Sequence, residues 1–263
     1  MYDLDSIVPR PNSANPDLKV LAGYYAHITA LDWNFGRLMD ALARTGLDRD
    51  TIVVFTSDHG DMLFSHDHGW KCKPWRESVI VPFIARLPGT IPAGRTEDAP
   101  FGLIDVAPTL LAACRAPVPD KMEGAAYPDM LLARDGPRPE STPIYFYIRA
   151  VNSQFGTWRG IVTAEHTYAR FREEPWVLYD DAADPYQTGN LVDDPGSSQL
   201  LARLETQTRH WLEQMGDEFE TENELARRLG IDLNEAGMPP YYTRPEILEE
   251  IRRRAALVSP DVA

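Results

Sequence analysis

The segment from residue 17 to residue 60 constrains the fold most, because a long amphipathic helix is followed closely by a short apolar strand. Seven positions recur at helical spacing, and all but one aspartate are apolar: Leu21, Tyr25, Ile28, Asp32, Phe35, Leu38 and Leu42. Asn15 and Pro16 have the chemistry of a helix start, and Gly46 is typical of the residue after a helix end. The sequence therefore predicts a helix over residues 17–45.

Residues 51–56 are β-branched and apolar on both faces, which is typical of a buried parallel strand. A helix, a short loop and a buried strand form an α/β unit. Ligands of open α/β sheets lie beyond the carboxyl ends of the strands, and Asp58 and His59 follow this strand directly. We therefore expect an α/β core with a mainly parallel sheet and flanking helices.

The later part of the chain changes character. A strand is predicted from Val79 to Arg86 and a helix from Leu103 to Cys114, and residues 115–143 form a link rich in proline, glycine and aspartate. Apolar runs over residues 144–148, 158–162 and 176–179 predict a small antiparallel sheet.

An amphipathic helix over residues 197–215 and an arginine-rich helix near 245–256 follow. These patterns divide the chain into an α/β core over 1–120, a smaller α+β subdomain over 121–215, and a charged, partly helical tail over 216–263.

Composition limits the possible partners of the protein. The formal net charge of -14 argues against nucleic acid and anionic membranes, although a lysine or a metal ion can still make one pocket attractive to a small anion. No apolar run approaches the ~18 residues of a membrane span. The first residues lack a signal-peptide pattern, and both cysteines read as free thiols, so we expect a cytoplasmic protein.

Charged side chains cluster after the predicted strand. The candidates are Asp58, His59, Asp61, His66, Asp67, His68, Lys71 and Lys73. Carboxylates hold hard cations, and a lysine neutralises an oxyanion, so the cluster suits a metal-and-anion site. Successive strand side chains point to opposite faces, so Asp58 and His59 reach one ion only if the chain bends, which Gly60 permits. A solvated polar loop is equally compatible with the spacing alone.

Several motifs in a fixed order resemble the sulfatase family of the alkaline phosphatase superfamily. The resemblance covers about residues 20–212, and the matching segments are 24–32, 51–63, 65–66, Lys71, 74–84, 105–111, 178–180, 184–185 and 190–191. It implies that Asp58 and His59 are metal ligands. It also implies that Lys71 holds the sulfate group and supports the leaving oxygen, and that His66 lies near the pocket as a second catalytic candidate.

Other polar residues have plainer interpretations. Lys71 is preferred to Lys73 because it precedes Glu77 by six residues and Pro82 by eleven, which is the spacing of the family. His68 and Lys73 are interpreted as solvated loop residues. The helix residues His27 and Asp32 are assigned to packing or to the surface.

One departure from the family matters for activity. The formylglycine of the family is made from a Cys-x-Pro-Ser-Arg segment, which lies with an Asp-Asp metal pair far before the Asp-His-Gly motif. Only 57 residues precede Asp58, and neither motif is among them. Residues 72–76 fit a minimal Cys-x-Pro-x-Arg pattern, but we interpret the match as coincidence because a strand is predicted to follow. We expect the nucleophile, the first strands and half of the metal ligands to lie outside this sequence.

The resemblance implies a sulfuric ester hydrolase, similar to arylsulfatases, which acts on a small sulfate ester. One divalent cation is implied, with Ca²⁺ preferred and Mn²⁺ or Mg²⁺ as alternatives. We expect little activity from this chain alone, and an exposed sheet edge favours an oligomer or a partner that supplies the N-terminal half. A phosphonate monoester or phosphodiester hydrolase of the same superfamily remains open, because a nitrogen ligand at His59 favours Mn²⁺ or Zn²⁺. A non-catalytic fragment or subunit is the third possibility.

Overall fold

A computed structural model describes residues 2–146 and 156–232. The predicted helix near 245–256 and the end of the apolar run at 147–148 lie outside these residues. The described chain is mixed helix and sheet, and its helices are either too short or too polar to serve as a membrane span.

The long helix is present as predicted. It is α1, Leu18–Thr45, and Gly46 ends it in the left-handed conformation at φ 72°. The N-cap of this helix is Asp17 and not Asn15, which the sequence predicted. The carboxylate of Asp17 accepts hydrogen bonds from the amides of Lys19 and Val20, so it satisfies donors that the first helical turn leaves unpaired.

The first sheet corrects the expectation of a mainly parallel core. Strand β1 (Val53–Thr56) pairs antiparallel with β2 (Phe83–Arg86), with Val53 opposite Arg86 and Thr56 opposite Phe83. An apolar pattern indicates which faces of a strand are buried. It does not indicate whether the neighbouring strand runs parallel or antiparallel. The mixed α/β class holds, but within the described residues both sheets are antiparallel.

The strand predicted over residues 79–86 is shorter than expected. One helical turn, α2 (Arg76–Val79), occupies its beginning, and β2 follows only after Pro82. Proline has no amide hydrogen and therefore cannot donate to a sheet ladder, so it marks the point where the strand can start. Helices α3 (Leu103–Ala113) and α4 (Pro128–Leu131) come next.

The C-terminal sheet has four strands in consecutive antiparallel order. They are β3 (Ser141–Phe146), β4 (Trp158–Thr163), β5 (His166–Arg170) and β6 (Pro175–Asp180), and helices α5 (Ser198–Met215) and α6 (Glu222–Leu229) follow. Strand β5 was missed by the sequence reasoning because its ends are polar. Leu204 of α5 packs against the buried Ile161, Tyr168 and Leu178 of this sheet.

A second core joins the two halves of the described chain. Met62 and Trp75 come from the loop after β1, and they pack with Trp158, Val177 and Tyr179 of the C-terminal sheet. All five are less than 9% exposed. Burial of two large loop side chains in this core fixes the loop that carries the candidate site residues.

Candidate active site

Asp58, His59 and Lys71 meet just beyond the end of β1. The Nδ1 atom of His59 lies 2.8 Å from the Gly60 carbonyl oxygen and so donates to it. The Nε2 atom is then left with a lone pair, which accepts a 2.6 Å hydrogen bond from the Lys71 ammonium. The same Nε2 lies 3.4 Å from Oδ2 of Asp58. A carboxylate, a neutral imidazole nitrogen and an ammonium therefore surround one small space.

The surroundings of Asp58 favour the charged form of its carboxylate. Desolvation raises the pKa of this carboxyl, but the hydrogen bonds from the His59 amide at 2.9 Å and from the Ser57 hydroxyl at 3.3 Å help to outweigh it, and the pKa is lowered. Its side chain is 81% exposed, so the carboxylate faces solvent and remains ionised at neutral pH.

The donor set fits half of a divalent-cation site. Asp58 offers a carboxylate oxygen, which is a hard donor. His59 offers Nε2, because the proton of its ring lies on Nδ1. Across residues 2–146 and 156–232 there is no group of three histidine, cysteine, aspartate or glutamate side chains arranged to hold a metal ion. These two residues would supply two ligands, and the remainder would have to come from elsewhere.

Gly60 is required by a close backbone approach. Its amide donates a 2.9 Å hydrogen bond to the Ser78 carbonyl, and a Cβ at this position would lie 2.0 Å from the Glu77 carbonyl oxygen. A main-chain oxygen cannot swing aside as a flexible side chain can. Glycine therefore lets α2 sit directly against the turn that carries Asp58 and His59.

The loop after Gly60 is held in an unusual conformation. Trp70 and Cys72, on either side of Lys71, both have positive φ angles, 65° and 72°. Lys73 is buried, and its ammonium donates to the Gly69 carbonyl at 3.1 Å and to the Lys71 carbonyl at 3.0 Å. The expectation of a solvated Lys73 was wrong, because the loop folds back over its own lysine.

His66 has a different environment from Lys71. Its ring stacks on Trp75 with a centroid distance of 4.6 Å, and its Nε2 accepts a 3.2 Å hydrogen bond from the Asn12 amide. Burial lowers the pKa of His66. His68 also stacks on Trp75, at 5.4 Å, and is half-buried, so it is not the solvated residue that the sequence suggested. The structure brings Asp58, His59 and Lys71 together and places the His66 ring against Trp75.

Residues far along the chain fix this loop, and the sequence reasoning missed them. The Trp75 indole donates a 3.1 Å hydrogen bond to the Tyr179 hydroxyl, and the Arg76 amide donates to the Gln187 side chain at 2.9 Å. The Arg76 guanidinium lies 3.4 Å from the buried carboxylate of Asp181. Separations above 100 residues leave no local pattern, and only the family-like motifs at 178–180, 184–185 and 190–191 marked this region.

The segment before α1 also binds the loop. Asn12 donates to the Glu77 carboxylate at 2.9 Å, and the His66 amide donates to the Asn12 carbonyl at 2.7 Å. The Arg10 guanidinium lies 3.0 Å from the same Glu77 carboxylate. These contacts tie residues 10–12 to both ends of the segment that contains Lys71.

Cys72 does not gain the features of a nucleophile. The one-turn helix α2 begins at Arg76, the last residue of the Cys-x-Pro-x-Arg match, so the expectation that a strand follows directly was wrong. The thiol is half-buried, and this burial raises its pKa. A thiol with a raised pKa forms less of the reactive thiolate at neutral pH than a thiol with an ordinary pKa.

A wide cleft of about 1420 Å³ opens beside the three site residues. Asp58, His59 and Lys71 line one part of it, and Thr142 and Trp158 of the C-terminal sheet line another. The cleft is therefore large enough for a substrate that is bulkier than its reacting group.

Comparisons with known proteins identify the family of this chain. Residues 6–116 match the sulfatase family, and residues 66–214 match the family described as N-sulphoglucosamine sulphohydrolase, C-terminal. An ulvan-active sulfatase of Formosa agariphila is 34% identical over 84% of this chain and 45% of its own length. A solved structure from work on glycosaminoglycan metabolism by Bacteroides thetaiotaomicron has a TM-score of 0.74 at 29% identity, covering 86% of this chain and 50% of that chain.

The phosphonate monoester hydrolase of Agrobacterium radiobacter shares the fold with a TM-score of 0.64 at 25% identity, over 83% of this chain and 44% of that chain. The protein belongs to the sulfatase family. Its 263 residues span about half the length of these relatives.

Proposed function

We propose that this chain provides the cation-binding and sulfate-holding half of a sulfuric ester hydrolase. The observation that carries the proposal is the contact between the Lys71 ammonium and His59 Nε2, with the Asp58 carboxylate beside them. A positive charge next to two cation ligands is suited to a sulfate group, whose oxygens can contact both the ammonium and the metal ion.

Each residue has a defined part in this proposal. Lys71 binds a sulfate oxygen and stabilises the charge that grows on the leaving oxygen as the ester bond breaks. The Gly60 carbonyl holds the proton of His59 on Nδ1, so Nε2 keeps its lone pair. Lys71 uses that lone pair in this structure, and a cation would take it over while the ammonium turns to a sulfate oxygen. Asp58 contributes its ionised carboxylate. A bound divalent cation supplies Lewis-acid polarisation of the sulfate group.

The two donors differ in the cations that they favour. The Asp58 oxygen suits Ca²⁺ and Mg²⁺, whereas the His59 nitrogen is more typical of Mn²⁺ or Zn²⁺. We propose Ca²⁺, with Mn²⁺ or Mg²⁺ as alternatives. The attacking formylglycine and the other ligands would come from residues outside the 263 of this sequence, which contains no Cys-x-Pro-Ser-Arg segment.

A sulfated carbohydrate is the substrate class that the relatives favour. The ulvan-active sulfatase and the solved glycosaminoglycan-metabolism protein both carry names that point to polysaccharides. The breadth of the cleft is consistent with a sugar bearing the sulfate. The second candidate function is phosphonate monoester hydrolysis, which the fold shared with the Agrobacterium enzyme and the nitrogen ligand at His59 support.

The test is an assay of this chain co-expressed with the N-terminal half of the ulvan-active sulfatase, with each half assayed alone as a control. We expect hydrolysis of 4-nitrophenyl sulfate, and Lys71→Ala should lower kcat/KM by roughly 100-fold or more, the usual effect of removing a contact to a developing oxyanion. Lys121→Ala, at an exposed lysine, is the matched control. A preference for a phosphonate monoester favours the second function, and equal activity of the two lysine variants contradicts the role of Lys71.

A further inference from the structure

Lys73 is buried although no carboxylate forms an ion pair with it in the described part of the chain. It is only 9% exposed, whereas Lys71, two residues earlier, is exposed. Burial lowers the pKa of Lys73, and the nearby Cys72 and Asp61 partly oppose this effect. A buried ammonium is costly unless its hydrogen bonds are made, so its partners indicate what it stabilises.

The partners of Lys73 are main-chain carbonyls that flank the site lysine. Its Nζ donates to the carbonyl oxygens of Gly69 and Lys71, and the Met62 amide donates to the Trp70 carbonyl at 2.7 Å. Three successive carbonyls, from residue 69 to residue 71, are thereby occupied, two of them by one ammonium.

These hydrogen bonds from Lys73 hold a strained segment of the backbone. The non-glycine residues on both sides of Lys71 have positive φ angles, which cost free energy and persist only when surrounding contacts enforce them. The Lys71 side chain leaves this backbone toward His59, with Nζ 2.6 Å from Nε2. Any relaxation at residues 70–72 would therefore move the ammonium away from the imidazole.

We propose that Lys73 is a positioning residue, which rests on the proposed function: it holds the loop carbonyls around Lys71 so that the Lys71 ammonium is fixed beside His59. In this role Lys73 acts through the Lys71 main chain. A lysine here combines a long apolar stem, which can cross the inside of the loop, with a charged head that bonds two carbonyls at once.

The experiment is ¹⁵N NMR of the histidine side chains in the full 263-residue chain. The Nε2 shift of His59, assigned with His59→Gln, reports the hydrogen bond from Lys71, and Lys71→Met defines the value when that bond is lost. We expect Lys73→Met to move the His59 signal most of the way to the Lys71→Met value. Lys73→Arg, which retains a charged donor, should restore much of the wild-type shift, and Lys121→Met should leave it unchanged.

A purely structural role has a different signature. If Lys73→Met lowers the melting temperature but leaves the His59 shift at its wild-type value, the proposal is overturned. Where Lys73→Met does not fold, the wild-type chain decides: slow exchange of the Lys73 ammonium protons supports the proposal, and exchange as fast as that of Lys121 overturns it. Titration of the wild-type chain with inorganic sulfate separates the proposed function from the role of Lys73. If the Lys71 and His59 signals do not change with sulfate, this counts against the proposed function, and the Lys73 result remains valid.

Discussion

The Trp75 indole donates a 3.1 Å hydrogen bond to the hydroxyl of Tyr179, which lies 104 residues later in the chain. Both side chains are buried. This bond joins the loop that carries Lys71 to the C-terminal sheet, so the position of Lys71 depends on a strand that forms no part of the Asp58 and His59 turn.

Replacing Tyr179 with phenylalanine tests this connection. The substitution removes the acceptor of a buried indole donor, and we expect it to lower the free energy of unfolding by about 1–3 kcal/mol. Urea denaturation gives the value. Tyr24→Phe, at a partly exposed ring on α1, is the control and should change little. Equal effects of the two variants would mean that the bond contributes nothing to stability.

Gly60→Ala tests the close approach beneath the site. The added Cβ would meet the Glu77 carbonyl oxygen, so the turn or α2 must move, and overpacking of this kind costs about 1–3 kcal/mol or more. Gly23→Ala is a matched control on α1 with open space around it, and it should stabilise the helix by roughly 0.5–1 kcal/mol. Thermal denaturation of both variants measures the two changes in stability, which we expect to have opposite signs.

The sequence could predict α1 and Gly46 because their signals are local: apolar residues at helical spacing and a glycine at the helix end. It could also place Asp58 and His59 after β1. The direction of β2 could not be predicted, because the same apolar pattern fits both kinds of pairing.

The burial of Lys73 was also beyond the sequence. A charged residue in a polar segment reads as solvated until the loop is seen to close over it. The contacts of Asp181 and Gln187 with Arg76 depend on tertiary structure and have no signature in spacing.

Stability should depend on pH through His66. Burial lowers its pKa below the ordinary 6.5, with Glu77 and Asp184 raising the pKa and His68 and Arg10 lowering it. The unfolded chain therefore binds more protons than the folded chain just below pH 6.5, so stability falls as the pH drops through this value and levels off below the folded-state pKa.

His66→Gln should consequently reduce the loss of unfolding free energy between pH 8 and acidic pH. Urea denaturation at the two pH values measures the difference. His27→Gln, at an exposed position on α1, should retain the wild-type dependence. The burial of His68 lowers its pKa as well, so some dependence should persist in His66→Gln. A slope that is identical in wild type and His66→Gln would exclude the linkage.

Helix α1 predicts self-association of the isolated chain. Ile28, Leu31 and Leu38 lie on one face and are 50%, 59% and 64% exposed, which is unusual for large apolar side chains at helical spacing. Analytical ultracentrifugation should show concentration-dependent oligomers, and Leu31→Glu combined with Leu38→Glu should shift them toward monomer. A wild-type chain that stays monomeric at every concentration would contradict this expectation.

The most direct test is whether Asp58 and His59 hold a cation beside Lys71. Mn²⁺ broadens NMR signals only near its binding site, so it can be added to the histidine-labelled chain and followed at each of the six imidazoles. We expect the His59 signal to broaden first, and Asp58→Asn, but not Asp32→Asn on α1, to remove this preference. Broadening that spares His59, or that is unchanged in Asp58→Asn, would contradict it.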